Sequence, residues 1–237
     1  NSHYVIMATK KGTVKKTSLE QYSRPRQNGI NAITIRDEDE LLEAKLTTGT
    51  SQIFLGLKSG KAIRFEESKT RPMGRNASGV RGITLASNDD EVIGMVSVHN
   101  FEDDILVVSE NGYGKRSTID DYRVTNRGGK GVKTISITDK TGGLVAIKNV
   151  SDTDDLMIIN KSGIAIRMAV EDLRVMGRAT QGVMLINLKG NDSIAAVAKV
   201  MKDEDAVDEV DIMDIEVNQE DGTALDTDTN DTEENNQ

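Results

Sequence analysis

The sequence contains no cysteine and only two histidines, His3 and His99. Disulfides and thiolate metal sites are thereby excluded, a reducing compartment is compatible with the chain, and imidazole-based catalysis has little to work with. No apolar run approaches the roughly twenty residues of a membrane-spanning helix, and no charged-then-apolar leader opens the chain. A soluble cytoplasmic protein with no membrane partner is expected. Tryptophan is absent, and three phenylalanines and four tyrosines supply few platforms on which the bases of a single strand could stack. No Ser-His-Asp or Cys-His arrangement is present, and the acidic turns lack the ligand spacing of an EF-hand. No enzyme chemistry is read from these residues and no catalytic residue is assigned. The chain opens on Asn1, and a strand pattern begins at Tyr4. The expectation is therefore a piece of a longer protein, with any catalytic part upstream.

What the chain does have is a repeat. Glycines that follow an apolar run and a polar residue fall at Gly12, Gly60, Gly112 and Gly163, spaced by 48, 52 and 51, and a second series, Gly29, Gly79, Gly131 and Gly182, is spaced by 50, 52 and 51. A unit of that size cannot bury its own apolar face and needs neighbours, so a period near fifty points to a repeat architecture. The repeats span about 4–47, 52–98, 104–150 and 155–200, and residues 1–200 are read as one domain. Each copy gives four strand-like runs, in the second repeat Ile53 to Leu57, Lys61 to Phe65, Val80 to Leu85 and Val92 to Val98. Ser59-Gly60 between the first two is a hairpin signal, because glycine reaches the positive φ of a primed turn at little cost. The first run is nearly continuous in apolar residues, as in Ile105-Leu106-Val107-Val108, and reads as a buried inner strand. The second alternates basic with apolar or small residues and reads as an outer one. The predicted fold is all-β, with four-stranded blades stacked radially.

The net charge of −9 conceals a division. Residues 201–237 hold 15 of the 39 acidic residues and one of the 30 lysines and arginines, leaving 29 basic against 24 acidic residues in 1–200. The segment 201–237, without aromatics, has the composition of a disordered acidic tail. Within the repeats, the segments Gly12 to Gly29, Gly60 to Arg81, Gly112 to Lys133 and Gly163 to Gly182 carry 19 of the 30 basic residues but 7 of the 39 acidic ones. Each includes a connection of about a dozen residues between second and third strands, longer than a hairpin needs and thus a candidate for function. In a radial stack these loops share one rim.

Arginine and lysine repeated along a rim suit an extended polyanion, and duplex DNA is the obvious one. The candidate DNA-binding residues are Lys15, Lys16, Arg24, Arg26, Arg64, Arg71, Arg75, Arg81, Lys115, Arg116, Arg123, Arg127, Gly128, Gly129, Lys130, Gly131, Lys133, Arg174 and Arg178. Gly128, Gly129 and Gly131 serve either loop geometry or close approach of a phosphate; Met73 and Met176 read as gap-fillers. The run Arg127-Gly128-Gly129-Lys130-Gly131 is not a P-loop, lacking the upstream glycine and the Ser or Thr after lysine. No element carries base-reading side chains at helical spacing, so phosphate contact with little sequence reading is expected, any preference coming from how easily DNA bends. The acidic tail is expected to touch the basic rim. A scaffold that binds acidic proteins is the reading from a different class.

The run Asn111-Gly112-Tyr113-Gly114-Lys115-Arg116, the pattern Met-Gly-Arg-Asn-x-x-Gly-Val-x-Gly-Ile-x-Leu at Met73 to Leu85, and Met-Gly-Arg-x-Thr-Gln-Gly-Val at Met176 to Val183 resemble the C-terminal domain of the bacterial DNA gyrase A subunit. The likeness covers residues 4–200. It implies a β-pinwheel, a propeller-like ring of blades with exchanged strands, around whose basic perimeter duplex DNA is wrapped so that ATP-driven strand passage introduces negative supercoils. It implies six blades, hence two further N-terminal ones. Arg127 to Gly131 matches the last five positions of the family's Gln-Arg-Arg-Gly-Gly-Lys-Gly box, while Thr125 and Asn126 depart from the first two. No cofactor is implied for this chain; ATP and Mg²⁺ belong to the holoenzyme, a type II topoisomerase. The gyrase B subunit and a second A subunit are implied as partners through the upstream part, in a nucleoid-associated cytoplasmic setting. The substrate-selecting domain of topoisomerase IV is the related alternative.

Overall fold

The computed structural model describes residues 3–190 and 192–201. The acidic segment expected to lack a fixed fold, and its contact with the rim, lie outside the described residues from Lys202 onward.

The first repeat supplies β1 (Tyr4–Thr9), β2 (Thr13–Ser18) and β3 (Leu41–Thr47), and the second β4 (Gln52–Leu57), β5 (Lys61–Glu66), β6 (Val80–Arg81) and β7 (Val92–Val98). The third gives β8 (Asp104–Ser109), β9 (Tyr113–Thr118), β10 (Val124–Thr125), β11 (Val132–Lys133) and β12 (Leu144–Val150). The fourth gives β13 (Asp154–Asn160), β14 (Ala165–Ala169), β15 (Val183–Met184) and β16 (Ile194–Met201). No described helix is long and apolar enough to cross a membrane; the only helical pieces are single 3₁₀ turns such as Glu67–Lys69 and Ile119–Asp121.

Pairing does not follow the repeat boundaries. The sheets run β3-β1-β2-β6, then β7-β4-β5 with β10 and β11 both on β5, then β12-β8-β9-β15, and finally β16-β13-β14. The third run of each repeat therefore leaves its own repeat and becomes the outer strand of the preceding blade. Thr13 and Val14 pair with Arg81 and Val80, Ala62 and Lys61 with Val132 and Lys133, and Gly114 and Tyr113 with Val183 and Met184. The fourth blade has three described strands and the others four or five. The fold is the all-β, propeller-like repeat arrangement anticipated from the period; the exchange is what one repeat's own pattern does not reveal.

The inner strands are apolar on both sides because each blade is sandwiched between neighbours. Ile53, Leu55 and Leu57 of β4 pack towards Ile6, Ala8 and Val14 of the first repeat. Phe54, on the opposite face of the same strand, packs with Ile105, Val107 and Tyr122 of the third. Leu106 and Val108 meet Leu156, Ile158 and Val197 of the fourth. The three apolar cores thus lie between blades, none within one blade, and each completely buried Leu or Ile contributes about 1.5–3 kcal/mol through burial. Two glycine positions make the close approaches possible. Gly112, at φ 81°, closes the β8–β9 hairpin, its amide donating to the Ser109 carbonyl at 3.1 Å. Gly131, at φ 71°, lies so close to the neighbouring blade that a Cβ there would sit 2.6 Å from the Ala62 carbonyl oxygen.

The sandwich predicts a sharp contrast between two leucines. Leu55→Ala, completely buried between two blades, is expected to lower the unfolding free energy by about 2–5 kcal/mol. Leu41→Ala, 42% exposed on β3, should change it by less than about 0.5 kcal/mol. Urea denaturation followed by circular dichroism reads both.

Candidate nucleic-acid interface

The fourth-run strands β3, β7, β12 and β16 pack against one another in sequence, so the exchanged strands and the loops leading to them form the opposite, outer edge. The basic residues of that edge sort into three groups.

The first group is buried. Lys15, Lys16, Arg64, Lys115 and Arg116, expected on an exposed outer strand, are between 0 and 8% accessible. The exchanged strand and its loop lie over β2, β5 and β9, which removes these side chains from any outer surface and makes them part of the scaffold. Lys16, Arg64 and Arg116 occupy one repeat position and reach forward to the short helical turn of the next repeat. Lys16 Nζ donates to the Glu67 carbonyl at 3.2 Å, and Arg64 Nη1 donates to the Ile119 and Tyr122 carbonyls at 2.7 and 2.8 Å. Arg116 Nε donates to the Leu173 carbonyl at 2.6 Å, while its Nη1 is held by Asp152. Each cation donates to carbonyls of the turn, and those of Glu67 and Ile119 also accept the turn's own closing amides, from Thr70 and Tyr122. Glu67, buried beside Lys16, accepts from Thr47 Oγ1 at 2.7 Å and from the Ser51 amide at 3.2 Å. Lys15 and Lys115 extend one residue earlier; Lys15 Nζ donates to the carbonyls of Ala32 and Arg75, and Lys115 Nζ to that of Gly177. Burial pushes both ammonium groups down to about 8, with Arg75 and Arg178 respectively lowering them further and Asp121 raising Lys115.

The second group reaches backward. Arg75, Arg127 and Arg178, each four residues before a positive-φ glycine, are half-buried and hold the loop of the preceding repeat. Arg127 donates from Nε to the Lys69 carbonyl at 2.9 Å and from Nη1 to the Arg81 carbonyl at 3.0 Å. Arg178 repeats this with the Asp121 and Lys133 carbonyls at 2.9 and 2.7 Å, and Arg75 Nη1 meets the Asn31 carbonyl at 3.0 Å. Pro25 stands at this place in the first repeat. Arg26, exposed one residue later, is therefore offset from the position the other three share.

The third group is exposed. Arg24, Arg26, Arg71, Arg81, Arg123, Lys130, Lys133 and Arg174 all lie open to solvent, and among the described residues none of their side chains has a hydrogen-bond or ion-pair partner. Arg71, Arg123 and Arg174 share one repeat position, immediately after the helical turn, and Arg81 and Lys133 share another, on the exchanged strand. Lys69 is exposed on the same edge; its only signal in the sequence is that it falls within the basic segment from Gly60 to Arg81.

The glycines of the box-like loop serve packing. The Gly128 amide donates to the Gly82 carbonyl at 2.6 Å, the Gly128 carbonyl accepts from Thr84 Oγ1 at 2.7 Å, and the Gly129 carbonyl accepts from the Thr84 amide at 2.8 Å. With Gly131 against Ala62, these contacts tie the loop to the second repeat, at β5 and at the segment that follows β6, and leave Lys130 projecting. Among the described residues no group of three or more His, Cys, Asp or Glu side chains is arranged to hold a metal ion.

The family described as the DNA gyrase C-terminal domain, beta-propeller, matches residues 3–48, 58–99, 103–151 and 154–201, one segment per repeat. The chain belongs to the DNA gyrase C-terminal domain family. Two DNA gyrase A subunits of Staphylococcus aureus, from strains MRSA252 and N315, are 47% and 48% identical over 208 residues, 87% of this chain. The chain spans 23% of the length of those relatives. Among solved structures, a C-terminal domain of DNA topoisomerase IV is similar in fold, with a TM-score of 0.79 at 23% identity over 84% of this chain and 62% of that one. A DNA gyrase A C-terminal domain gives 0.75 at 25% identity over 84% and 66%.

The two buried lysines give the gyrase-family fold a pH signature. An unfolded lysine keeps its proton to about 10.5, so from pH 8 to 10 the unfolded chain binds protons that folded Lys15 and Lys115 have released. Their contribution to stability is expected to rise across that window and to be flat below it. Above pH 10 it is opposed by Tyr122, which burial pushes up to about 12. Isoleucine occupies the equivalent positions 63 and 166, so the Lys15→Ile, Lys115→Ile variant should fold and lose the rise. Thermal midpoints of both proteins from pH 7 to 10 provide the comparison.

Proposed function

We propose that this domain binds and wraps duplex DNA along its outer edge, largely without reading sequence, as the C-terminal part of a gyrase A subunit that enables ATP-dependent negative supercoiling. The gyrase B subunit and a second A subunit would be its partners through regions upstream, where the strand-passage chemistry would also reside. The observation that carries this reading is the third group: cations that have no side-chain partner among the described residues, at the same two positions on successive blades. A buried or clamped cation is committed to the fold, whereas an exposed unpartnered one remains available to a phosphate. Their anchorage supports the same reading, since the loops that present them are fastened to two blades and enter a complex with little left to order. DNA following this edge would meet a free cation at each successive blade, and release of its counterions would drive association.

The prediction separates the exposed cations from the scaffold. Arg81→Ala, Lys130→Ala and Lys133→Ala combined should weaken binding about equally for unrelated duplexes and reduce the slope of log affinity against log salt by about three, one per lost contact. Fluorescence anisotropy between 50 and 300 mM salt measures both. A salt-independent affinity in the unaltered protein would remove the phosphate reading, and ligation of nicked circles with and without the protein tests wrapping.

A further inference from the structure

The exposed arginines that follow the helical turns are each followed by an apolar residue: Arg71 by Pro72, Arg123 by Val124 and Arg174 by Val175. The apolar members are spaced by 52 and 51 residues, the period of the fold itself. Pro72 is exposed, Val124 is 45% exposed and Val175 is 47% exposed. A single exposed valine on a protein surface is ordinary. Three apolar side chains at one repeat position, each beside a free guanidinium on an otherwise charged edge, form a pattern.

The backbone beneath them is fixed. Pro72, Val124 and Val175 are bridged in parallel to Lys16, Arg64 and Arg116 of the preceding repeat. The amides of Met73 and Met176, the next residues along, each donate at 2.8 Å to the carbonyls of Lys16 and Arg116. The side chains of the same three basic residues hold the helical turn just before the pair. Proline and β-branched valine also have few side-chain conformations to lose. Three of the four blades thus present a stiff apolar knuckle and a long cation side by side, with no described partner for either.

We propose that these Arg–apolar pairs enter the minor groove of the bound duplex. This rests on the DNA-wrapping reading and goes beyond it by assigning a groove and a source of sequence preference. DNA curved around a protein narrows its minor groove where that groove faces inward, and a narrow groove concentrates negative potential that attracts arginine. Apolar side chains at the mouth of such a groove pack on the sugars that line it and exclude water there, which favours duplexes whose minor groove narrows easily. Arg71, Arg123 and Arg174 supply the first element, and Pro72, Val124 and Val175 supply the second. The duplex bound best is one whose A·T-rich tracts and pyrimidine–purine steps are phased to place a compressible minor groove at each knuckle.

The test uses the complete 237-residue chain and two DNA fragments of equal length, one with A·T-rich tracts phased to the helical repeat and one with the same composition unphased. Pro72→Ser, Val124→Ser and Val175→Ser combined retain every charge. Affinity for the phased fragment is expected to fall by about tenfold, with the salt slope unchanged and the preference for phasing lost. A minor-groove-binding polyamide directed at the A·T-rich tracts should displace the unaltered protein, a measurement that does not depend on how the variant folds. If the unaltered protein binds with a steep salt slope but without phasing preference, and the polyamide leaves it bound, the pairs do not enter the minor groove and phosphate binding alone survives. A flat salt response in the unaltered protein would overturn both readings together.

Discussion

No blade of this protein completes its own hydrogen bonding. The outer edges of β2, β5 and β9 offer backbone donors and acceptors that only a strand from the following repeat satisfies, and burying such groups unpaired costs more than the pairing itself contributes. That requirement drives the third run out of its own repeat, carries the basic loop across the neighbouring blade, and covers the charged second strand. The apolar cores between blades then form from inner strands that present a hydrophobic face on each side.

The covering creates an electrostatic problem that the same loops resolve. Lysines and arginines under the exchanged strand lose water, and a desolvated cation is costly unless donors find acceptors. Backbone carbonyls of the short turns provide them, those of Glu67 and Ile119 while also accepting the turn's own amide. Arg64 reaches Ile119 and Tyr122, Arg116 reaches Leu173, and in the opposite direction Arg127 and Arg178 return from the loop to the carbonyls of the repeat before. Adjacent blades are thus joined by cations passing both ways, and the free arginines of the edge stand on that doubly fastened backbone.

Much of this architecture was legible in the residues. The glycine spacing set the number of repeats, and the first, second and fourth strand runs lie where the pattern put them, while the third shrinks to two residues in three repeats and forms no strand in the first. The motifs between Met73 and Val183 named the family that the comparisons then showed. The position of the second strand was misread, because Thr13-Val14-Lys15-Lys16-Thr17 alternates like a half-exposed strand and nothing within one repeat announces that another repeat covers it. A comparison among the copies held the signal: Lys15 and Lys115 align with Ile63 and Ile166, and a place that takes isoleucine is a place inside. For the same reason the sixteen candidate lysines and arginines mixed three classes. Charge identifies a cation, but whether it faces solvent, a neighbour's carbonyl or a carboxylate depends on contacts between repeats that are nearly fifty residues apart.

Strand exchange also gives the array a polarity. Three repeats hand their third run towards the N-terminus, while Ile30 to Ile35, at the same place in the first repeat, forms no strand in the described structure. Among the described residues β14 pairs with β13 alone, and Ala165 and Arg167 lie open where Val14, Ala62, Lys16 and Arg64 are covered. Each exchanged outer edge is finished by the repeat that follows it, so excising an internal repeat would leave its predecessor to accept a ribbon from a different neighbour.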